Sequence, residues 1–364
     1  MAKCALEFNQ NNMKLRGYNM STWNMLGKIT RRGALAALVG VMAGGVALES
    51  ASAADKVKLG ALRFTSHSGG FVAYENGYFK DADLDIEFVY FQAAAPMAVA
   101  IASGDIDFGV TSITGGLINL AGKGAVKVIG GALHEEKGID GSAILASIKA
   151  HAAGLTSPDK LKGRSLGITQ TGSSFHYMAA QVAKKEGFAV SDIKMKPLQK
   201  VGAIIGALKS GQVDAMIIVP HIAKPLDKFG KAKIIGWIND YAPYQVTTIF
   251  TSAKNASGKK DLVKRFMGAY SKGIADFNRV MLNQSKDAAA TDAMVKQIHK
   301  YVYTSRPYAK AAPSIKNGAM RISENAKLDL TDVKKQLAWF QSEGLVSKSI
   351  TIDQLVDTSF VDTY

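Results

Sequence analysis

Cysteine is almost missing: Cys4 is the only one in 364 residues, and it falls in an N-terminal stretch that reads as a leader. A chain shorn of that stretch has no thiol, which excludes disulfides, cysteine-based zinc sites, iron–sulfur clusters and thiol nucleophiles together. It suits an oxidising envelope compartment. Metal and nucleotide signatures are missing as well. His67, His134, His151, His176, His221 and His299 share no metal-ligand spacing, and no HExxH occurs, so neither a metal nor a cofactor is expected. The pairs Gly69–Gly70 and Gly115–Gly116 fit neither a P-loop nor GxGxxG. Basic stripes interleaved with aromatics are absent too. Of the net charge of +15, the +11 beyond residue 53 is spread as singlets and doublets, such as Lys184–Lys185 and Lys334–Lys335, so nucleic acid is not an expected partner.

What is present begins with an export signal. Residues 1–53 hold six basic and two acidic side chains, so +4 of the charge belongs there and +11 to the rest. Lys28, Arg31 and Arg32 precede an apolar stretch at 33–48, and Ala51, Ser52 and Ala53 offer small residues for cleavage after Ala53. Thr30, Arg31 and Arg32 with Leu35 resemble a twin-arginine signal, although Ala34 stands where a bulkier residue is usual. About 16 apolar residues fall short of the ~20 that a membrane anchor requires. Met13, Met20 and Met25 are alternative starts.

From Val57 onward, short β-branched runs alternate with helical patterns, which predicts an α/β fold with parallel sheets. Strands are expected at 57–64, 84–91, 108–110 and 126–130, with helices at 70–81, 96–103 and 115–121 between them. A second, similar series follows: strands at 164–169, 193–196, 215–219 and 234–238, helices at 174–187, 201–211 and 222–229. Two stretches, 142–148 and 244–252, fit neither series and read as crossings between two lobes. Beyond them Leu262, Phe266, Ala269, Tyr270, Ile274, Phe277 and Met281 recur at helical steps, and 328–340 repeats the pattern more weakly. Lobe one is then 54–139 plus 246–364, lobe two is 140–245, and a two-strand hinge sets a ligand cleft between them.

Several phrases, in this order and spacing, carry a family resemblance: Leu59 to Phe64 followed by Ser66, His67, Ser68, Gly69 and Gly70; Glu75, Asn76, Gly77, Tyr78, Phe79; Ser103, Gly104, Asp105, Ile106, Asp107, Phe108, Gly109; Leu161 to Gly167; and Gly211, Gln212, Val213, Asp214. The sequence resembles the nitrate/sulfonate/taurine-type periplasmic substrate-binding proteins of ABC importers over most of 54–300. That resemblance implies a type II periplasmic-binding-protein fold of two Rossmann-like lobes, a small-molecule ligand enclosed between them, and delivery to an inner-membrane ABC permease. It implies no catalysis, and a monomer is expected. Sulfonates, nitrate, aromatic acids and pyrimidines are all ligands of such proteins, so a small organic anion such as a sulfonate or aromatic carboxylate stands beside a pyrimidine-type precursor as alternatives. A ligand-sensing module is a third. Enzymes of related fold depend on cysteine, which the exported chain would lack.

Ligands of open α/β sheets sit beyond the carboxyl ends of strands, where loops enter helices. That rule selects Ser66, His67 and Ser68 after the first strand, Thr111 and Ser112 after the third, and Thr171, Ser173, Ser174, Phe175 and His176 in the second lobe. Hydroxyls and free backbone N–H groups at helix starts receive anions, but each terminus is worth only ~0.3–2 kcal/mol, whereas micromolar affinity needs about 8 kcal/mol. Each such residue also serves as an ordinary helix cap. Gln92, His221 and Tyr241, at other strand ends, extend the candidate ligand set, and Lys200 is the one basic side chain expected near the second-lobe edge. No arginine clamp is evident.

Overall fold

The computed structural model describes residues 53–241 and 243–364. The expected leader, with its paired arginines, lies outside the described residues apart from Ala53, the residue before the expected cleavage point.

The first series runs β1 (Asp55–Ala61), α1 (Ser68–Glu75), β2 (Leu84–Tyr90), α2 (Ala94–Ser103), β3 (Phe108–Ser112), α3 (Gly115–Gly122) and β4 (Val126–Gly131). After β5 (His134–Glu135) come β6 (Ala143–Ala146), α4 (Ile148–Ala152), β7 (Ser165–Ile168), α5 (Ser174–Lys185), β8 (Lys194–Pro197), α6 (Val201–Ser210), β9 (Ala215–Ile218), α7 (Pro220–Lys228) and β10 (Lys233–Trp237). The chain returns through β11 (Tyr244–Gln245) and β12 (Thr247–Ser252). It ends in helices α8 (Ala253–Gly258), α9 (Lys260–Met281), α10 (Ala288–His299), α11 (Tyr308–Lys316), α12 (Leu330–Ser342) and α13 (Ile352–Leu355).

Local chemistry sets these limits. Thr114 caps α3 by accepting the Leu117 N–H at 3.1 Å. Helices α2 and α6 both stop at a glycine in the left-handed region, Gly104 at φ 83° and Gly211 at φ 72°, where a side chain would be strained. The short helix α1 stays close to α9 because Gly273 lets the backbones touch; a Cβ there would lie 2.2 Å from the Gly69 carbonyl oxygen.

Two five-stranded sheets result, in the orders β2-β1-β3-β12-β4 and β8-β7-β9-β6-β10. In the first, β1, β2 and β3 are parallel while β12 runs antiparallel to both β3 and β4. In the second, β7, β8 and β9 are parallel while β6 runs antiparallel to β9 and β10. The expectation of purely parallel sheets is therefore corrected: the protein has two lobes with mixed sheets. The stretches read as free crossings supply the antiparallel strands, since β6 completes the sheet the chain is entering and β12 the one to which it returns. The chain passes between lobes at β5 and β11, which pair with each other through Glu135–Tyr244 and His134–Gln245.

Lobe one is buried on both sheet faces. One side packs β1, β3 and β4 against α1, α9, α10 and α11, with Phe108 stacked on Phe266 at 3.9 Å. The other side packs α2, α3, α12 and α13 around Met97, Phe250 and Phe340. Lobe two has a single cluster around Leu145, Leu166, Ile204 and Met216. Helices α10 and α11 had no sequence-based expectation.

Candidate functional site

Both lobes turn helix starts toward a common space of about 60 Å³, enough for a handful of waters or a very small molecule. From lobe one it is lined by Leu62, Phe64, Ser66, His67, Ala93, Ala94, Thr111 and Ser112. From lobe two come Thr169, Ser173, Ser174, Phe175, Met178, Val201, Ile218 and Val219. Leu133, Ser142, Val246 and Thr247 close the hinge side. The starts of α2, α5, α6 and α7 thus face one volume, together with the 3-10 turn Thr65–His67 that leads into α1. None of these lining residues is Asp, Glu, Lys or Arg.

Three contacts join the lobes near this space. The Gly115 N–H donates to the Gly172 carbonyl at 2.9 Å, and the Val201 N–H to the Gln92 carbonyl at 3.4 Å. Thr65 Oγ1 lies 3.0 Å from His221 Nδ1 and donates its one proton to the Gly318 carbonyl at 2.9 Å. The hydrogen in the Thr65–His221 bond therefore sits on His221 Nδ1. These contacts hold the lobes together over the cavity.

The electrostatics are those of buried, uncharged polarity. Burial pushes the His67 imidazole down to about 3, so it is neutral near pH 7. His221 is likewise lowered to about 3 by burial, then by repulsion from the charge that His67 carries once protonated, and by Arg306. Two lining residues carry polar atoms without a partner: His67 Nδ1 and Ser173 Oγ are buried and make no hydrogen bond within the protein, and the same holds for Ser68 Oγ, next to His67 in the chain. Orphaned buried polar groups each cost about 1–3 kcal/mol, which a hydrogen-bonding ligand recovers.

Of the residues proposed from sequence, Ser66, His67, Thr111, Ser112, Ser173, Ser174 and Phe175 line the cavity. The others do not. Ser68 is buried and is not among the lining residues. Gln92 is exposed and reaches lobe two only through its carbonyl. Thr171 is exposed, because the turn at Gly172 (φ 74°) sends it outward. His176 sits one turn into α5 and faces α12, its ring 5.2 Å from Trp339 and its Nδ1 accepting the Gly172 N–H at 3.2 Å. His221 is spent on the Thr65 bond. Tyr241 lies on an outer hollow beside α5 and α12, where its hydroxyl donates to Glu186 at 2.9 Å. Lys200 is exposed at the start of α6 and does not line the cavity.

Sequence reasoning missed the apolar wall of Leu62, Met178, Ile218 and Val219, and the helix starts at Ala93–Ala94 and Val201. The strand-end rule already pointed to these loops; apolar side chains in them were passed over for hydroxyls. Ser142 and Thr247 were out of reach, since one precedes β6 and the other opens β12, in stretches read as crossings and not as strands of the sheets. Among the described residues, no group of three or more metal-ligating side chains converges.

Residues 64–279 match the family described as NMT1/THI5 like. No curated protein matches the sequence. Among solved structures, the chain is similar to the alkanesulfonate-binding protein SsuA from Xanthomonas axonopodis pv. citri bound to MOPS, with 19% identity, a TM-score of 0.66 and coverage of 84% of this chain and 98% of that one. It is also similar to the periplasmic nitrate-binding protein NrtA from Synechocystis PCC 6803, with 11% identity, a TM-score of 0.64 and coverage of 83% and 86%. A desulfurization enzyme, DSZB, shares the fold at 12% identity and a TM-score of 0.57, covering 84% of this chain and 97% of that one. At these identities the likeness is one of fold, that of the periplasmic binding proteins.

Proposed function

The chain belongs to the NMT1/THI5-like family, and from that premise we propose that it is the extracytoplasmic solute-binding component of an ABC importer, enclosing a small organic anion between its lobes. One observation carries this reading: helix starts from both lobes, and buried polar atoms that lack protein partners, converge on a single interlobe cavity. Oriented N–H dipoles favour an anion, and the apolar wall favours a short hydrocarbon or aromatic body. The binding proteins named above, for sulfonates and for nitrate, agree with that choice of ligand class.

In this reading the lobes are 54–139 plus 246–364 and 140–245, and the ligand contacts are Ser66, His67, Thr111, Ser112, Ser173, Ser174 and Phe175. Export through the twin-arginine-like leader, cleavage after Ala53, a periplasmic location, a monomeric state and handover to an inner-membrane permease belong to the same proposal. It is not an enzyme in this reading, although DSZB is one on a similar fold. The lining offers no carboxylate or thiol to pair with His67 as nucleophile or acid. A pyrimidine-type ligand is the second reading, favoured by the lack of any charged lining residue.

Thermal-shift screening of the folded protein against sulfonates, aromatic carboxylates, nitrate and pyrimidines tests the choice. A rise in melting temperature with a sulfonate or carboxylate supports the anion reading. A rise with pyrimidines alone transfers the site to the second reading. Stability unchanged by every class overturns the binding function.

A further inference from the structure

An anion enclosed in this cavity meets no fixed positive charge. The lining holds no lysine or arginine, and Lys200 at the start of α6 is exposed outside it. Taking a small ion out of water costs several kcal/mol even after the protein relaxes, while a helix start returns about 0.3–1 kcal/mol and at best ~2 kcal/mol. A protonated side chain would add a charge-assisted hydrogen bond to what the helix starts and hydroxyls return. Among the lining residues one side chain is able to take up a proton: His67, 3% exposed, at the last position before α1, with its Nδ1 unpartnered.

Resting on the anion-binding reading above, we propose that His67 is a conditional counter-ion, neutral while no anion is enclosed and protonated when one is, so that this protein binds its anion together with a proton.

The surroundings of His67 fit that role. Phe64 flanks it with ring centroids 6.1 Å apart, and the hydroxyls of the lining residue Ser173 and of Ser68, the next residue in the chain, have no protein partners. Burial alone lowers its basicity, and no carboxylate opposes that effect, so an enclosed anion is the first negative charge His67 encounters. The other charged or titratable groups near this corner are His221 on α7, with Arg306 and Tyr303 behind it. The His221 ring lies 5.8 Å from that of Tyr303, and Arg306 packs over the Tyr303 ring at 4.3 Å. His221 is the poorer proton acceptor of the two histidines, because Arg306 disfavours a second positive charge beside it. The lobe-two residues that line the cavity include Ser174, the first residue of α5, and no ionisable side chain; His221 is not among them. The proton therefore enters on lobe one and comes from solvent.

Calorimetry with ethanesulfonate and benzoate at pH 5.5, in buffers of differing ionisation enthalpy, measures the proton directly. Uptake approaching one proton per anion is expected, with the dissociation constant rising about tenfold per pH unit until the pKa of the complex is passed. The neutral isosteres ethyl methyl sulfone and benzamide take up none. His67→Gln abolishes the uptake and flattens the pH dependence. If that variant fails to fold, the ring nitrogen shifts of 15N-histidine wild-type protein report instead, one neutral imidazole becoming imidazolium on adding ethanesulfonate at pH 5.5. Tight anion binding without proton uptake overturns the proposal and leaves the binding function intact, as does uptake that persists in His67→Gln. Failure of the anions and the neutral isosteres alike to bind overturns the anion-binding reading and this inference with it.

Discussion

The two lobes repeat one plan and depart from it where ligand chemistry is concerned. In each, a helix ends at Ser-Gly and an aspartate three residues after the glycine turns back to accept a backbone N–H of the first parallel strand: Asp107 from Lys58 at 2.9 Å, Asp214 from Ser165 at 2.8 Å, both 49 positions apart. Each first strand carries a glycine that admits a neighbouring apolar side chain; a Cβ on Gly60 would lie 2.6 Å from Ile106, and one on Gly167 2.6 Å from Ile204. In step with that register, Ser66 corresponds to Ser173, whereas His67 corresponds to Ser174. The lobes also differ in bulk. Lobe one is clad on both faces, while the outer strands β8 and β10 of lobe two are largely exposed or half-buried. The difference teaches a division of labour: lobe one is a thick platform bearing His67, the ionisable residue of the lining, and lobe two a thinner cover bearing most of the apolar wall.

Core truncations strain that comparison most. Phe266→Ala removes the ring stacked on Phe108 and is expected to cost about 3–5 kcal/mol, and Leu208→Ala in lobe two about 2–5 kcal/mol. Calorimetric melting is expected to show Leu208→Ala lowering the earlier of two transitions and Phe266→Ala the later. A reversed order breaks the platform-and-cover distinction.

Next in size are the paired serines. Ser66→Ala and Ser173→Ala each should weaken ethanesulfonate by about 1–3 kcal/mol, roughly 5- to 150-fold. Melting temperature should hold for Ser173→Ala, whose hydroxyl has no partner in the protein. Titration calorimetry reads both, and a loss from only one lobe contradicts a shared site.

Gly318→Ala acts on the contact between lobes. Its Cβ would lie 2.1 Å from the His221 Cβ, so α7 has to retreat, at about 1–3 kcal/mol against the closed form. Small-angle scattering is expected to give a larger radius of gyration with both lobes still folded; an unchanged radius removes this contact from closure.

The smallest effect is electrostatic and confined to the platform. Burial raises Asp276, but hydrogen bonds from Tyr78, Arg279 and Asn76 more than reverse this and hold its carboxyl below the usual range. A folded-state value depressed in this way gives stability above the unfolded pKa, near 4, that is lost as pH falls through the folded one. Asp276→Asn should therefore cost at most ~1 kcal/mol at pH 7 and nothing near pH 2. Urea melts at the two pH values measure it, and an equal cost at both would assign the effect to packing.

The order of strands and helices was legible because each βα unit is local, its limits written in caps and glycine stops such as Thr114, Gly104 and Gly211. Sheet membership was not, since β6 and β12 find partners more than 60 residues away in sequence and an alternating strand carries no mark of direction. The hydroxyl loops were legible through strand-end geometry, and that much brought Ser66, Thr111 and Ser173 together. Which way a side chain turns was not: His176 packs against Trp339 near the far end of the chain, and Tyr241 reaches Glu186, 55 positions before it, although both share the chemistry of the site. The isolation of His67 is a property of its surroundings, which no pattern in the sequence reports.

The central claim is that the lobes close over an anion, and the lack of cysteine after Cys4 makes it directly measurable. Spin labels at Val99→Cys on lobe one and Phe229→Cys on lobe two, at side chains 59% and 69% exposed, report the interlobe distance by pulsed electron resonance. Closure predicts a broad distribution that collapses to one narrow population when ethanesulfonate saturates the protein. A distribution identical with and without bound ethanesulfonate contradicts it.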